Sequence, residues 1–142
     1  MTTARDVANY LLTKSDPGEG DTISNLKLQK LVYYAQGLHL ALFDRPLFDE
    51  QIVAWAHGPV VPDLYHAFKA YEAGAIPLPD GPPVITAGER ELLDEIWTVY
   101  GQFSAWKLRN MTHAEPPWTN TEQSSEISRD RMSEYFKTLL TF

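Results

Sequence analysis

The residues of this chain best equipped for chemistry are four histidines, His39, His57, His66 and His113, with the carboxylates near them. His57 stands in "AWAHGPVVPDLYHAF", residues 54–68, beside a Gly-Pro turn where Asp63 or Asp49 could orient it as a general base. A turn histidine can equally serve as a plain hydrogen-bonding group, and that reading is preferred. His113 could pair with Glu115 as acid and base, yet at the end of a helix it is read first as a partner for terminal carbonyls. The histidine spacings specify no metal site, and the absence of cysteine removes disulfides, thiolate nucleophiles and cysteine-ligated zinc. The chain contains no glycine-rich phosphate loop, nucleophile elbow, HExxH or calcium loop. The expectation is a protein that is not an enzyme and has no cofactor, no metal and no small-molecule substrate.

Two further groups could bind. Lys27 and Lys30 share a side of one helix, with Tyr34 a turn beyond Lys30. They could hold an anion or a partner's carboxylate, although lysine stems also run past an apolar stripe to carry their charge into water, and this plainer reading is preferred. Trp55, Trp97, Trp106 and Trp118 are more tryptophan than a core of this size requires, and one of them exposed would anchor a protein partner.

The elements that position these groups are read from apolar spacing and breakers. Ala4, Val7, Ala8, Leu11 and Leu12 make a short amphipathic helix after Thr2-Thr3, ended by "SDPGEGD". "ISNLKLQKLVYYAQGLHLALF" opens at Ser24 and Asn25; its stripe Leu28, Leu31, Val32, Ala35, Leu38 and Leu42, with a second apolar face of Leu26, Tyr33 and Leu40, places it inside the fold. Gly37 within it implies the close approach of another backbone. "QIVAWA" reads as extended, giving a short β-hairpin near residues 47–57. Pro62 and Asp63 open a helix expected through Ala73, ended by Gly74. "AIPLPDGPPVI" is a surface connection, and Thr86 with Glu89 forms a capping box for a helix carrying Leu92, Leu93, Ile96, Val99 and Tyr100. Ser104 caps "AWKLRNMT", "HAEPPW" ends it, "TNTEQSSE" is an exposed loop, and Met132, Tyr135, Phe136, Leu139 and Leu140 form a last helix from about Ser128. The fold class is mainly α: a single domain over residues 1–142, about six helices around a buried central one.

Composition narrows the class. With 142 residues, 44% hydrophobic, the chain can bury a core. A formal net charge of −7 opposes a surface built to neutralise nucleic-acid phosphates or anionic lipid, so nucleic-acid binding is not expected. No apolar run is long enough to span a membrane, the N-terminus lacks signal-peptide features, and a cytoplasmic location is expected.

Three segments, "LKLQKLVYYAQGLHL", "AWAHGPVVPDLY" and "THAEPPW", in this order and roughly this spacing, resemble the signature segments of the Panacea domain, the family that includes SocA-like antitoxins and phage-associated GepA-like proteins. The resemblance runs from about Ile23 to the C-terminal helix and covers Lys27, Leu28, Lys30, Leu31, Tyr33, Tyr34, Trp55, Gly58, Pro59, Val60, Tyr65, His113, Pro117 and Trp118. It implies a mostly helical antitoxin that neutralises a cognate toxin by direct binding, with delivery of the toxin to a protease as the alternative. The partner-binding residues it suggests are Lys27, Lys30, Tyr34, Trp55, His57, Pro59, Tyr65, His113 and Trp118. A hydrolase built on His57, His66 or His113 is the competing class. The acidic surface suits a basic toxin by electrostatic complementarity.

Overall fold

A helix of 19 residues, α2 (Asn25–Phe43), forms the axis of the computed structural model, which describes residues 1–140; the expected domain therefore includes two residues, 141 and 142, outside the described region. Ser24 caps α2 by accepting from the Lys27 amide, and Asp44, in the left-handed conformation at φ 55°, closes it. Around it stand α1 (Ala4–Leu12), α3 (Pro62–Phe68), α4 (Ala87–Tyr100), α5 (Ala105–His113), the short α6 (Pro116–Thr119) and α7 (Arg129–Leu139). The seven helices among the described residues exceed the expected six because the two prolines of "HAEPPW" both end α5 and start α6. Proline lacks an N–H and is preset for a first helical turn.

The caps follow the sequence closely. Thr3 with Asp6 and Thr86 with Glu89 form capping boxes, and Ser104 and Ser128 accept from the amides three residues on. The hairpin pairs β1 (Val53–Trp55) with β2 (Gly58–Val60) in antiparallel register, so its second strand lies beyond the segment expected to hold it. Helix α3 stops at Phe68, short of the expected Ala73, and continues only as a 3₁₀ turn over Lys69–Tyr71. Phe68 is held buried under the Arg5 guanidinium, 4.5 Å from its ring centre, and its backbone leaves helical geometry there.

Buried side chains of α1, α2, the hairpin, α3, α4, α5 and α7 join in one apolar cluster. Helix α2 is buried on nearly all faces, its polar residues included. Each of those finds a partner: Gln36 accepts from the Leu47 amide and donates to the Phe48 carbonyl, while Gln29 accepts from the Val61 amide at 2.9 Å. No buried side-chain nitrogen or oxygen among the described residues is left without a hydrogen bond. Leu42, expected in the apolar stripe, is exposed at the end of α2, and Val99 is likewise exposed on α4. At Gly37 the close neighbour is a side chain and not a backbone: an added Cβ would stand 2.1 Å from the Phe136 ring of α7.

Candidate partner-binding site

The two lysines of α2 are buried, Lys30 completely. Lys30 is fully buried and its ammonium donates to the Pro59 carbonyl of β2 at 3.0 Å; burial, with Arg109 adding repulsion, lowers its amine to about 7. Lys27 is buried and donates to the Gly101 carbonyl at 2.7 Å, a cation placed on the carbonyl end of α4, with its charge 5.2 Å from the Trp97 ring centre. The expectation that these chains carry their charge past the core fails because α2 is covered on their side by the hairpin and by the end of α4. Gly58 is required for this packing: its φ is +113°, and an added Cβ would stand 2.7 Å from Lys30 Cε and 2.9 Å from Thr112 Oγ1.

Consecutive tyrosines of α2 converge on one acid. Tyr33 and Tyr34 donate to the two oxygens of Glu115 at 3.0 and 2.7 Å, and Tyr34 stacks flat on Tyr100 of α4 at 3.9 Å. Burial raises the Glu115 carboxyl, the tyrosine hydroxyls opposing part of that rise, and burial with the Glu115 charge raises both tyrosines. His113 takes no part in this group. Its Nδ1 and Nε2 each lie 2.7 Å from a main-chain carbonyl, of Arg109 and Ala56 respectively, and its ring lies over Trp118 at 4.0 Å. The acid–base pair of His113 with Glu115 is therefore not formed. Trp118 donates its indole N–H to the Trp55 carbonyl at 2.9 Å.

The three signature segments thus bond to one another: the first to the second through Lys30 and Pro59, the first to the third through Tyr34 and Glu115, the second to the third through Trp55 and Trp118. Of the nine residues singled out by the sequence, Lys27, Lys30, Tyr34, Pro59, His113 and Trp118 hold the frame. Four of the nine, Trp55, His57, Tyr65 and the framing Lys30, line one groove between α2, the hairpin and α3, a cavity of about 390 Å³ walled also by Leu26, Val60 and Lys69. Trp55 and Tyr65 meet edge to face there at 5.1 Å. His57, expected beside Asp63 or Asp49, is exposed and accepts instead from Arg109 Nε at 3.3 Å, while Asp49 faces Arg129.

Trp106 is the exposed tryptophan, at 57%, with the Arg109 guanidinium 4.4 Å from its ring centre. It belongs to the same side of the molecule through the Arg109–His57 contact, and the sequence could not single it out from the other three. Glu115 also went unassigned to a binding or framing role, although two adjacent tyrosines on a helix apolar all round call for a buried acceptor. No group of three or more histidine, aspartate or glutamate side chains able to hold a metal occurs among the described residues. No helix among them is long and apolar enough to cross a membrane.

The structure is thus a mainly α fold whose signature residues lock its frame and whose outside carries an open aromatic groove. The chain belongs to the family described as antitoxin SocA-like, Panacea domain, which matches residues 28–119, from α2 through α6. It is 35% identical over 128 residues to Antitoxin SocA of Caulobacter vibrioides (strain NA1000 / CB15N), a match covering 81% of this chain and 68% of that protein. No solved structure matches it. The family match is shorter than the resemblance read from the sequence, beginning after Ile23 and stopping before α7.

Proposed function

We propose that this protein is the antitoxin of a toxin–antitoxin pair and neutralises its toxin by direct contact, through the face formed by the groove and Trp106. Membership of an antitoxin family supports the role, and one observation supports the face. Six of the nine signature residues are occupied in holding the fold together, whereas Trp55 and Tyr65 in the groove, and Trp106 linked to the groove residue His57 through Arg109, offer aromatic surface to a partner. A rigid aromatic surface binds with little ordering cost. Binding, and not catalysis, is the proposed mode, since His57 and His113 engage an arginine and main-chain carbonyls where a general base would engage a carboxylate.

The experiment is co-expression with the growth-inhibiting product of an adjacent reading frame. Rescue of growth with a co-purifying complex, both lost on Trp106→Ala combined with Tyr65→Ser, is the expected result. Rescue with the complex absent and the toxin disappearing only when a protease is present would replace direct neutralisation with delivery to that protease. A complex indifferent to the double variant would move the binding face elsewhere.

A further inference from the structure

The charge around the groove has the opposite sign to the chain. The protein carries 19 acidic and 12 basic residues, yet Lys30 and Lys69 line the groove and Arg109 stands at its end on His57, against one lining carboxylate, Glu72. Among the described residues the ion pairs are Lys14–Asp94, Arg129–Asp49 and Lys137–Asp44. Lys30, Lys69 and Arg109 are in none of them. Arg109 spends its donors on neutral groups, His57 Nδ1 and Asn110 Oδ1, and Lys30 on a single carbonyl. Two accessible cations, Lys69 and Arg109, at one apolar groove with the buried Lys30 beneath it and no carboxylate paired to any of them leave room for one anion.

The size of the groove limits what completes it. About 390 Å³ lies near the lower end of the roughly 300–1,000 Å³ typical of ligand pockets, enough for one or two side chains and far too small for a folded element. Its walls are apolar and aromatic: Leu26, Trp55, Val60 and Tyr65. We infer that the groove takes an acidic segment of the partner, an apolar or aromatic side chain seated against the touching rings of Trp55 and Tyr65 with an aspartate or glutamate beside it facing Lys69 and Arg109. The buried Lys30 charge adds to the attraction from beneath the floor, and a carboxylate arriving above it would favour the charged amine that burial now opposes. A partner that is basic overall can still present such a segment, so the local sign and not the net charge decides docking.

This inference rests on the proposed binding face, and the test separates the two. Short overlapping fluorescein-labelled peptides covering the co-purified toxin are titrated against the full-length chain by fluorescence polarisation. The expected binders carry Leu, Phe or Trp within two residues of Asp or Glu. Changing that Asp or Glu to its amide, or Lys69→Ala in the protein, weakens binding about fivefold, the size of a single exposed ion pair, and raised salt weakens it further. Lys30→Met, with its fold verified by thermal unfolding, lowers affinity in the same direction. Basic binding peptides, or acidic ones insensitive to amidation and to Lys69→Ala, overturn the inference. So does a toxin whose complex needs Tyr65 and Trp106 while none of its peptides binds; that result leaves the proposed face standing. A complex that ignores Tyr65→Ser and Trp106→Ala removes the face itself.

Discussion

Tyr34 and Glu115, separated by 81 residues in the chain, are joined by a 2.7 Å hydrogen bond in which the tyrosine hydroxyl donates to a buried carboxylate. Glu115 sits at the N-cap of α6 but does not cap it; its side chain turns inward to the tyrosines of α2. The bond ties the first signature segment to the third. Its strength depends on protonation, because burial raises the carboxyl above its ordinary 4.5.

A carboxyl raised in the folded state binds protons more tightly there than in the unfolded chain. Stability is therefore lost as pH rises from about 4.5 through the raised value, and the folded state is relatively favoured below that window. Glu115→Gln keeps an acceptor for the tyrosines and should remove this slope. Glu115→Ala should instead cost about 1–3 kcal/mol for each tyrosine hydroxyl left buried without an acceptor. Urea unfolding of the three proteins on both sides of the window checks both statements; a glutamine variant with the wild-type slope would contradict them.

Lys30 gives a slope of opposite origin. Its amine is depressed from 10.5 to about 7, so between these values the unfolded chain binds more protons and stability rises with pH. Lys30→Met, which removes a buried charge and keeps the stem's volume, is expected to be more stable than wild type at pH 7 and to lack the rise above it. Denaturation midpoints for both proteins at pH 7 and about pH 9 decide this.

Gly58→Ala meets two costs. The left-handed backbone opposes a Cβ by about 1–2 kcal/mol, and crowding against Lys30 and Thr112 adds about 1–3 kcal/mol. Thermal unfolding should show a clear fall in midpoint. A midpoint close to wild type would mean that the hairpin turn does not depend on this glycine.

Gly37 and Phe136 should be strongly coupled. Gly37→Ala alone destabilises, because the new Cβ drives into the Phe136 ring. In a Phe136→Ala background the same change should be neutral, or stabilising by up to about 1 kcal/mol through helix propensity. Additive effects in the double-mutant cycle would show that the ring is not what excludes a side chain at position 37.

Trp106→Ala should leave unfolding within about 0.5 kcal/mol of wild type, since the side chain is exposed and its contact is with Arg109. Growth rescue in the toxin co-expression assay should fall. A variant that is stable and still rescues fully would remove Trp106 from the interface.

Much of the frame was legible because it is written locally. Thr3, Ser24, Thr86, Ser104 and Ser128 cap where their spacing says they should, and the apolar circumference of α2 announces a central helix. The fates of Lys27 and Lys30 were not legible. A lysine on an apolar helix can reach water or be covered, and what covers these two, the Gly101 and Pro59 carbonyls, arrives from 74 and 29 residues away. The early end of α3 was hidden for a similar reason, since Phe68 is held by Arg5 of α1 and no local breaker precedes Gly74. The groove was half legible: Trp55, His57, Tyr65 and Lys30 were named, but not that they share a cavity while Lys30 and the other five lock the frame.

The "TNTEQSSE" segment, exposed as expected, has a backbone that is anything but loose. Ser124 donates to the Ala54 carbonyl, Ala54 to Ser125 and Ile127 to Ile52, so the chain after α6 lies along the outer side of β1. On the other side of the hairpin, Pro59 and Val61 are engaged by Lys30 and Gln29 of α2. The main-chain groups by which a sheet edge could zip onto an incoming strand are already taken on both flanks. A partner strand finds no free sheet edge at this hairpin, so docking of the kind proposed above would fall to side chains, and changes in the groove residues alone would then alter specificity on an unchanged scaffold.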